Sequence, residues 1–255
     1  MNSKRFACKL WLSLALVLGT AATARAMPAD DFKAANALYD AGKFSEAMAA
    51  YERIEPKTAN LLYNLGNACF RAGQVGRAVL NYERARRLAP RDPDILANLK
   101  FAEQKLGVDE VNAPPVAWQR FLRSVVNSHT PGEWSTYELA GVWLAVVALG
   151  LLLWARAARK ALLMVAAAAL AVTLMAGLAL ADQVLREGAS PRAVALDRRT
   201  DARFAPLADA TVHFQLTEGT EVAIREDRDQ WLLVERADGQ QGWVRRAAVE
   251  RIGID

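Results

Sequence analysis

Tyr137-Glu-Leu-Ala-Gly-Val-Trp-Leu-Ala-Val-Val-Ala-Leu-Gly-Leu-Leu-Leu-Trp154 is the stretch around which the chain is organised, and a second apolar run follows it at residues 161–181. A helix needs about 20 apolar residues to cross the hydrocarbon core of a bilayer, and a soluble helix of that length has a polar stripe. Neither run has such a stripe. The two runs therefore predict transmembrane helices at 137–154 and 161–181.

A short basic loop, residues 155–160, joins the two runs and contains three cations. Short loops rich in Lys and Arg stay in the cytoplasm, so both outer ends of the hairpin are expected in one compartment outside it. Apart from Glu138 at its edge, the hairpin carries no ionisable residue deep in either run. Transport sites and proton relays need such groups, and their absence favours plain anchoring.

Small residues recur within the two runs, at Gly150, Ala167, Ala171 and Gly177. In membranes, helix backbones approach each other most closely where the side chains are small. These positions are therefore expected to let the two helices pack together or to contact the helices of another subunit.

Residues 1–26 have the pattern of a secretory signal peptide, with basic residues, an apolar stretch at 10–22 and an A-x-A cleavage site at Ala24-Arg25-Ala26. An uncleaved anchor helix is the alternative, although the apolar stretch is short for that role. Either interpretation sends the following segment across the membrane, in agreement with the basic loop.

The segment 29–107 is helical and repeats on a frame of about 34 residues. Its second unit reads Asn64-Leu-Gly-Asn-Ala-Cys-Phe-Arg-Ala-Gly73, followed by Ala78, Tyr82, Ala85 and Pro90. This pattern resembles a tetratricopeptide repeat, in which small and bulky residues interlock two antiparallel helices. The first unit matches more weakly and is shortened, and residues 93–107 fit a third half-unit that caps the array.

Stacked repeats leave a concave groove lined by the first helix of each unit. The frame places the following side chains in that groove: Asn36, Tyr39, Asn60, Tyr63, Asn64, Asn67, Phe70, Arg71, Asn98 and Phe101. An Asn amide can hold a peptide backbone, and aromatic rings supply contact area for a protein partner. The alternative is that the Asn side chains only cap and solvate the helices.

Residues 108–136 are predicted to form a linker and an interfacial helix. Pro114-Pro115 cannot continue a helix. After them, Trp118, Leu122, Val125 and Val126 fall on one helical face. Because a transmembrane run follows closely, this face favours a helix lying on the bilayer surface over one that binds a partner.

The pattern of residues 192–252 is that of short strands. Strands are predicted at 193–196, 212–216, 220–224, 230–235 and 242–244, with a long polar loop at 197–210 and a hairpin turn at Asp238-Gly239. Their number and size predict a small barrel. The string Asp229-Gln-Trp-Leu-Leu-Val-Glu-Arg-Ala-Asp-Gly-Gln-Gln-Gly-Trp-Val244 resembles bacterial SH3 domains. Phe214, Trp231 and Trp243 are candidates for an aromatic ligand face, and Trp243 is the one most expected in the core.

Several function classes find no support in the sequence. The formal net charge is +4, but the basic residues are spread along the chain, so nucleic-acid binding is not predicted. Cys69 reads as a small buried hydrophobe. With only His129 and His213, no nucleophile–base pair and no metal-ligand cluster, the chain is predicted to have no cofactor, no metal and no enzymatic activity.

The expected fold class is therefore multidomain: an all-α repeat domain, a two-helix transmembrane hairpin and a small all-β SH3-like barrel. This order resembles that of the BatE family of the Bat aerotolerance operon. The two binding modules tethered to one membrane face favour an inner-membrane scaffold with both soluble domains in the periplasm. The resemblance implies a membrane-anchored component that acts beside Bat proteins with von Willebrand factor A domains, other Bat proteins and a MoxR-type ATPase. A cell-wall anchor that binds peptidoglycan through the SH3-like domain is the alternative.

Overall fold

The computed structural model describes residues 29–108, 111, 116–189 and 191–253, so the predicted signal peptide lies outside the described part. Within that part, an all-α region is followed by two long apolar helices and then by an antiparallel β-sheet. This order of elements confirms the predicted fold class.

The all-α region consists of α1 (Ala29–Asp40), α2 (Phe44–Glu52), α3 (Ala59–Arg71), α4 (Val75–Leu88) and α5 (Pro93–Leu106). The turns inside the first two helix pairs contain Gly42 and Gly73 with φ of 75° and 81°. Glycine adopts this left-handed conformation without a steric penalty, so these positions end α1 and α3 sharply. Thr58 and Asp92 begin α3 and α5 by accepting backbone hydrogen bonds.

The two helices of the second repeat interlock as the sequence pattern predicts. Leu65, Ala78 and Ala85 are buried between them. Gly66 faces the ring of Tyr82 so closely that a Cβ there would lie 2.6 Å from two ring carbons. A residue with a side chain at this position would push α3 and α4 apart, since packed interiors absorb added volume poorly.

In the described part of the chain, these helices are followed by α6 (Ala117–Asn127), α7 (Pro131–Leu151) and α8 (Arg159–Ala189), with a short 3₁₀ turn at Arg156–Ala158 between the last two. A capping box formed by Thr130 and Glu133 begins α7, ahead of the predicted apolar run. By length and composition, α7 and α8 are each able to cross a membrane, which by itself is weak support for a span.

Small residues mediate the packing of α7 on α8, but mostly not those expected. A Cβ on Gly141 would lie 2.4 Å from Thr173 Oγ1 and 3.0 Å from the Ala169 carbonyl oxygen. In contrast, Ala167 is exposed and a Cβ on Gly150 would meet no atom within 4 Å. Ala171 is exposed as well. The prediction of hairpin packing through these three is wrong because composition does not reveal how each helix is rotated about its axis.

The C-terminal region is one antiparallel sheet. Its strands are β1 (Arg192–Ala195), β2 (Arg199–Arg203), β3 (Val212–Thr217), β4 (Glu221–Arg228), β5 (Trp231–Arg236), β6 (Gln241–Arg245) and β7 (Val249–Arg251), in the order β3-β2-β6-β5-β4-β1-β7. The prediction of a loop throughout 197–210 is wrong, because Arg199–Arg203 forms strand β2. In this strand only Thr200 and Ala202 are buried. Two buried residues of such small size give too weak an alternation to indicate a strand.

The sheet packs directly on the helical repeats. Val194 of β1 and Ile252, just after β7, have no exposed surface and belong to the same apolar cluster as the repeat residues. At the edge of this contact, Arg84 Nη2 in α4 donates to Glu250 Oε1 at 2.9 Å and to the Arg251 carbonyl oxygen at 2.7 Å. The soluble regions on either side of the apolar hairpin therefore share one core.

A side chain from the sheet caps the first turn of α4. The residue before that helix, Gln74, makes no side-chain capping bond. Instead Glu218 Oε1, from the β3–β4 turn, accepts from the backbone N–H of Gly76 at 2.6 Å. The carboxylate lies at the positive end of the helix dipole. Gly76 permits this approach, since a Cβ there would lie 2.5 Å from Glu218 Cγ.

Replacing Glu218 with Ala is expected to lower the free energy of unfolding by about 1 kcal/mol, the usual effect of losing a helix cap. Chemical denaturation of the full chain in detergent measures this change, and hydrogen exchange at the Gly76 amide locates it. Glu46→Ala is the matched control, because Glu46 is exposed, also lies in the first turn of a helix, and makes a long ion pair with Lys43 at 3.5 Å. Equal stability of the two variants would show that the contact contributes nothing to folding.

Candidate partner-binding surfaces

The predicted groove residues lie on α1, α3 and α5, and part of them form a network of their own. Asn67 Oδ1 accepts from the Tyr82 hydroxyl at 2.7 Å and from Asn98 Nδ2 at 3.0 Å. Asn98 Nδ2 also lies 3.1 Å from the Tyr63 hydroxyl. Tyr82 is buried, and this burial raises the pKa of its hydroxyl, which stays protonated as a donor. Asn67 and Asn98 therefore hold α3, α4 and α5 together.

The first repeat has a matching bond. The Tyr51 hydroxyl donates to Asn36 Oδ1 at 2.5 Å, and burial raises the pKa of Tyr51 to about 12. Asn60 and Asn64 differ from these residues, because their long mutual contact of 3.4 Å is a weak bond near the surface. Of the predicted asparagines, Asn60 and Asn64 thus keep amide groups available to a ligand, whereas Asn36 is engaged within its repeat.

Aromatic rings and cations cluster along the same helices. The ring centres of Phe70 and Phe101 lie 5.5 Å apart, and Lys105 Nζ lies 4.5 Å from the centre of the Phe70 ring. The Phe101 side chain is 59% exposed. Lys105 was not among the predicted residues, although it follows Phe101 by one helical turn and so lies on the same face. This pair of helices offers a partner an open aromatic surface beside a positive charge.

A second cluster lies toward the first repeat. The Arg71 guanidinium carbon is 4.6 Å from the centre of the Phe44 ring, and Phe44 meets Tyr39 edge to face at 5.3 Å. Phe44 was missed as a site residue because it begins α2, outside the first helices considered. The contact connects the predicted residues Tyr39 and Arg71 through a side chain of the second helix.

The three aromatic residues predicted for the SH3-like face do not share one surface. Phe214 packs against the inner cluster of the sheet. In the pairing of β5 with β6, Trp231 faces Arg245 and Trp243 faces Leu233, in register positions that alternate with the inner residues. Trp243 is only 8% exposed, as the sequence led us to expect, and Trp231 is half-buried. Phe214 and the two tryptophans therefore lie on different sides of the sheet.

An exposed aromatic pair that the sequence did not indicate lies beside Phe214. Phe204, 64% exposed, stacks on His213 with their ring centres 4.2 Å apart. His213 in turn meets Phe214 at 5.3 Å. Phe204 had been assigned to a polar loop, and its contact with His213 depends on the unpredicted pairing of β2 with β3. A flat stacked surface of this kind suits planar or apolar ligand groups.

Charged residues gather where α4 meets the sheet. Arg86 binds Glu83 at 2.6 Å within α4, and Arg192 binds Glu221 at 3.1 Å within the sheet. Burial raises the pKa of the Glu221 carboxyl, and the charge of Arg192 opposes that change. The Glu83 carboxylate raises the pKa of the Arg86 guanidinium. Because each of these four charges has an opposite partner within its own helix or sheet, the cluster has the character of a structural site.

The other candidate chemical groups in the described part of the chain lie in packed surroundings. Burial raises the pKa of the Cys69 thiol to about 12, so it stays protonated and unreactive. Within the described residues, no three His, Cys, Asp or Glu side chains lie together as metal ligands. His129 packs against Trp134 and Tyr137 with ring centres 4.9 and 5.4 Å away. These surroundings are typical of packing residues.

Two family models match parts of the chain. Residues 198–250 match the model described as bacterial SH3 domain, and residues 59–92 match a tetratricopeptide repeat model. No curated protein matches the chain. Both kinds of domain are typically non-catalytic interaction modules, so these regions indicate interaction with proteins or peptidoglycan. A bacterial SH3 domain also suggests a location in the cell envelope.

Single truncations of Asn67 and Asn64 are expected to lower stability by different amounts, because Asn67 holds the repeat together and Asn64 lies near the surface. Asn67→Ala leaves the buried Tyr82 hydroxyl without its acceptor and should lower stability by about 1–3 kcal/mol. Asn64→Ala removes only a weak surface contact and should change stability by less than about 0.5 kcal/mol. Thermal denaturation of the two variants checks this difference; equal losses would contradict the assignment of Asn67 to the repeat core.

Proposed function

We propose that this protein is a non-enzymatic scaffold of the bacterial inner membrane, whose periplasmic repeat and SH3-like domains bind protein partners. One observation carries the proposal: the two interaction domains pack together around Val194, Ile252 and Glu218, next to a hairpin able to cross the bilayer. Holding two binding surfaces on one membrane-attached unit raises the effective concentration of each for a shared target.

The proposed partners are Bat-type proteins with von Willebrand factor A domains and other Bat proteins, within an envelope complex associated with a MoxR-type ATPase. This part of the proposal is supported by the order of the domains, which resembles that of the BatE family. The matches to the repeat and SH3 models agree with that order. The partners would engage the repeat groove with a peptide or a helix and the SH3-like domain with a second segment.

The orientation proposed for the hairpin has two independent supports. The basic loop at 155–160 favours a cytoplasmic position between the helices. Separately, the contacts of β1 and of Glu250 in β7 with α4 support a position of the regions before and after the hairpin on one side of the membrane. Two crossings satisfy both requirements, with the soluble domains in the periplasm.

Fusion of alkaline phosphatase, which is active only after export, tests this orientation. The enzyme should be active when fused to the C-terminus and inactive when inserted at Ala158 in the loop. The two fusions are mutual controls, since each reports on one side of α8. Activity at Ala158 with silence at the C-terminus would reverse the orientation and reject the periplasmic scaffold.

Phe101 is the side chain with which to test binding by the repeats, because it is exposed and packs on the Phe70 ring within the aromatic cluster. Phe101→Ala should weaken capture of a partner by about 2 kcal/mol, roughly thirtyfold, as expected for an aromatic hot spot. The measurement is crosslinking and copurification from native membranes.

Leu96→Ala is the matched control for Phe101→Ala, since Leu96 is an exposed apolar residue on another face of the same helix. Copurification should persist in this variant. Equal recovery of partners by the wild type and Phe101→Ala would remove the repeat groove from the proposal.

Peptidoglycan binding through the SH3-like domain is the second candidate function, and the exposed stack of Phe204 on His213 favours it. An aromatic ring of this kind can pack on the apolar face of a sugar. On this alternative, the full chain in detergent should pellet with purified murein, and Phe204→Ala should reduce pelleting. Leu88→Ala, which truncates an exposed residue of α4, is the control. Failure of the wild type to pellet would reject the alternative.

A further inference from the structure

Helix α6 exposes an apolar face that the packing of the protein leaves uncovered. Trp118, Phe121, Leu122 and Val125 are 61%, 69%, 50% and 37% exposed. At about 100° per residue, these four side chains occupy one arc of the helix roughly 100° wide. Such a face is unusual at the surface of a soluble domain and indicates a site of contact.

The opposite side of α6 carries a positive charge. Arg123 lies about 150° around the helix from the centre of the apolar arc. Its guanidinium opposes the rise that burial causes in the pKa of the Glu221 carboxyl of β4, so Arg123 lies within electrostatic reach of the sheet. The helix thus has a charged side and an apolar side that face different directions.

The end of α6 is fixed to the transmembrane hairpin. Trp134 Nε1 in α7 and Gln183 Nε2 in α8 both donate to the Val126 carbonyl oxygen, at 3.0 and 2.7 Å. Gln183 Nε2 also donates to the His129 carbonyl oxygen at 3.0 Å. These bonds hold α6 at the end of the hairpin where both helices join the soluble domains.

We propose that α6 lies in the surface of the bilayer, with its apolar face inserted among the lipids and its charged side supporting the repeat and SH3-like domains. The inference rests on the proposed membrane anchoring. It goes beyond it by assigning a second lipid-binding element, which would set the distance and orientation of the two binding domains above the membrane.

Two observations favour lipid over a protein partner as the occupant of this face. The exposed apolar belt of the hairpin, which includes Leu139 and Trp143, begins close to the bonds that fix α6. At the same level, Tyr137 is 39% exposed and packs on the buried Trp134 with ring centres 5.9 Å apart. Aromatic rings concentrate at the boundary between lipid and water, and amphipathic helices bind there through Trp, Phe and Leu.

The test places an environment-sensitive fluorophore at single cysteines in the full chain, reconstituted in nanodiscs of phosphatidylethanolamine and phosphatidylglycerol. Cys8 is replaced by Ser, and buried Cys69 stays unlabelled because its thiol remains protonated. Labels are introduced by Phe121→Cys on the apolar face, Ser124→Cys on another side of α6, and Leu170→Cys on the exposed surface of α8. Leu122→Cys, also on the apolar face, is a second probe in case Phe121→Cys fails to fold.

The proposal expects blue-shifted emission and quenching by spin-labelled lipids at Phe121→Cys and Leu170→Cys, with neither effect at Ser124→Cys. Quenching at Leu170→Cys alone would overturn the assignment of α6 and leave the anchor intact. Equal quenching at Phe121→Cys and Ser124→Cys would overturn the surface orientation. Loss of quenching at Leu170→Cys would instead reject the membrane span and, with it, both proposals.

Discussion

The packing of Val194 and Ile252 from the sheet into the apolar cluster of the repeats is the contact on which the arrangement of the soluble domains depends. The Glu218 carboxylate adds a bond between the same two regions, where it accepts from the Gly76 amide and completes the first turn of α4. Because the chain passes through two apolar helices between these domains, their contact also constrains how the hairpin can lie in a membrane.

Some polar residues of the repeats hold the helices together, and others remain open to a partner. Asn67 joins α3 to α4 and α5, and Asn36 makes the corresponding bond in the first repeat. Both amides are half-buried, but they accept from the hydroxyls of buried tyrosines, so removing either one leaves a desolvated hydroxyl behind. The surface left for a partner is therefore mainly aromatic and cationic, formed around Phe101, Lys105 and Arg71. This distribution favours contact area and charge over amide recognition.

The repeat was predictable because its interlocking residues recur at fixed spacing, and Leu65, Gly66 and Tyr82 are each where that spacing places them. Strand β2 was not predictable, since its outward side chains are charged and its inward ones are small. The stack of Phe204 on His213 was therefore not predicted either, because it forms only when β2 pairs with β3. Local patterns indicate an element only when its buried face is large enough to show.

The sequence alone determined the kinds of element, their order and the two long apolar runs, because periodicity and length are properties of consecutive residues. The tertiary structure decided which faces meet. It selected Gly141 over Gly150 as the close contact of the hairpin, placed Phe214 apart from Trp231, and brought Glu218 to Gly76. These outcomes depend on helix rotation and on contacts between distant segments, whose energies no single stretch of sequence contains.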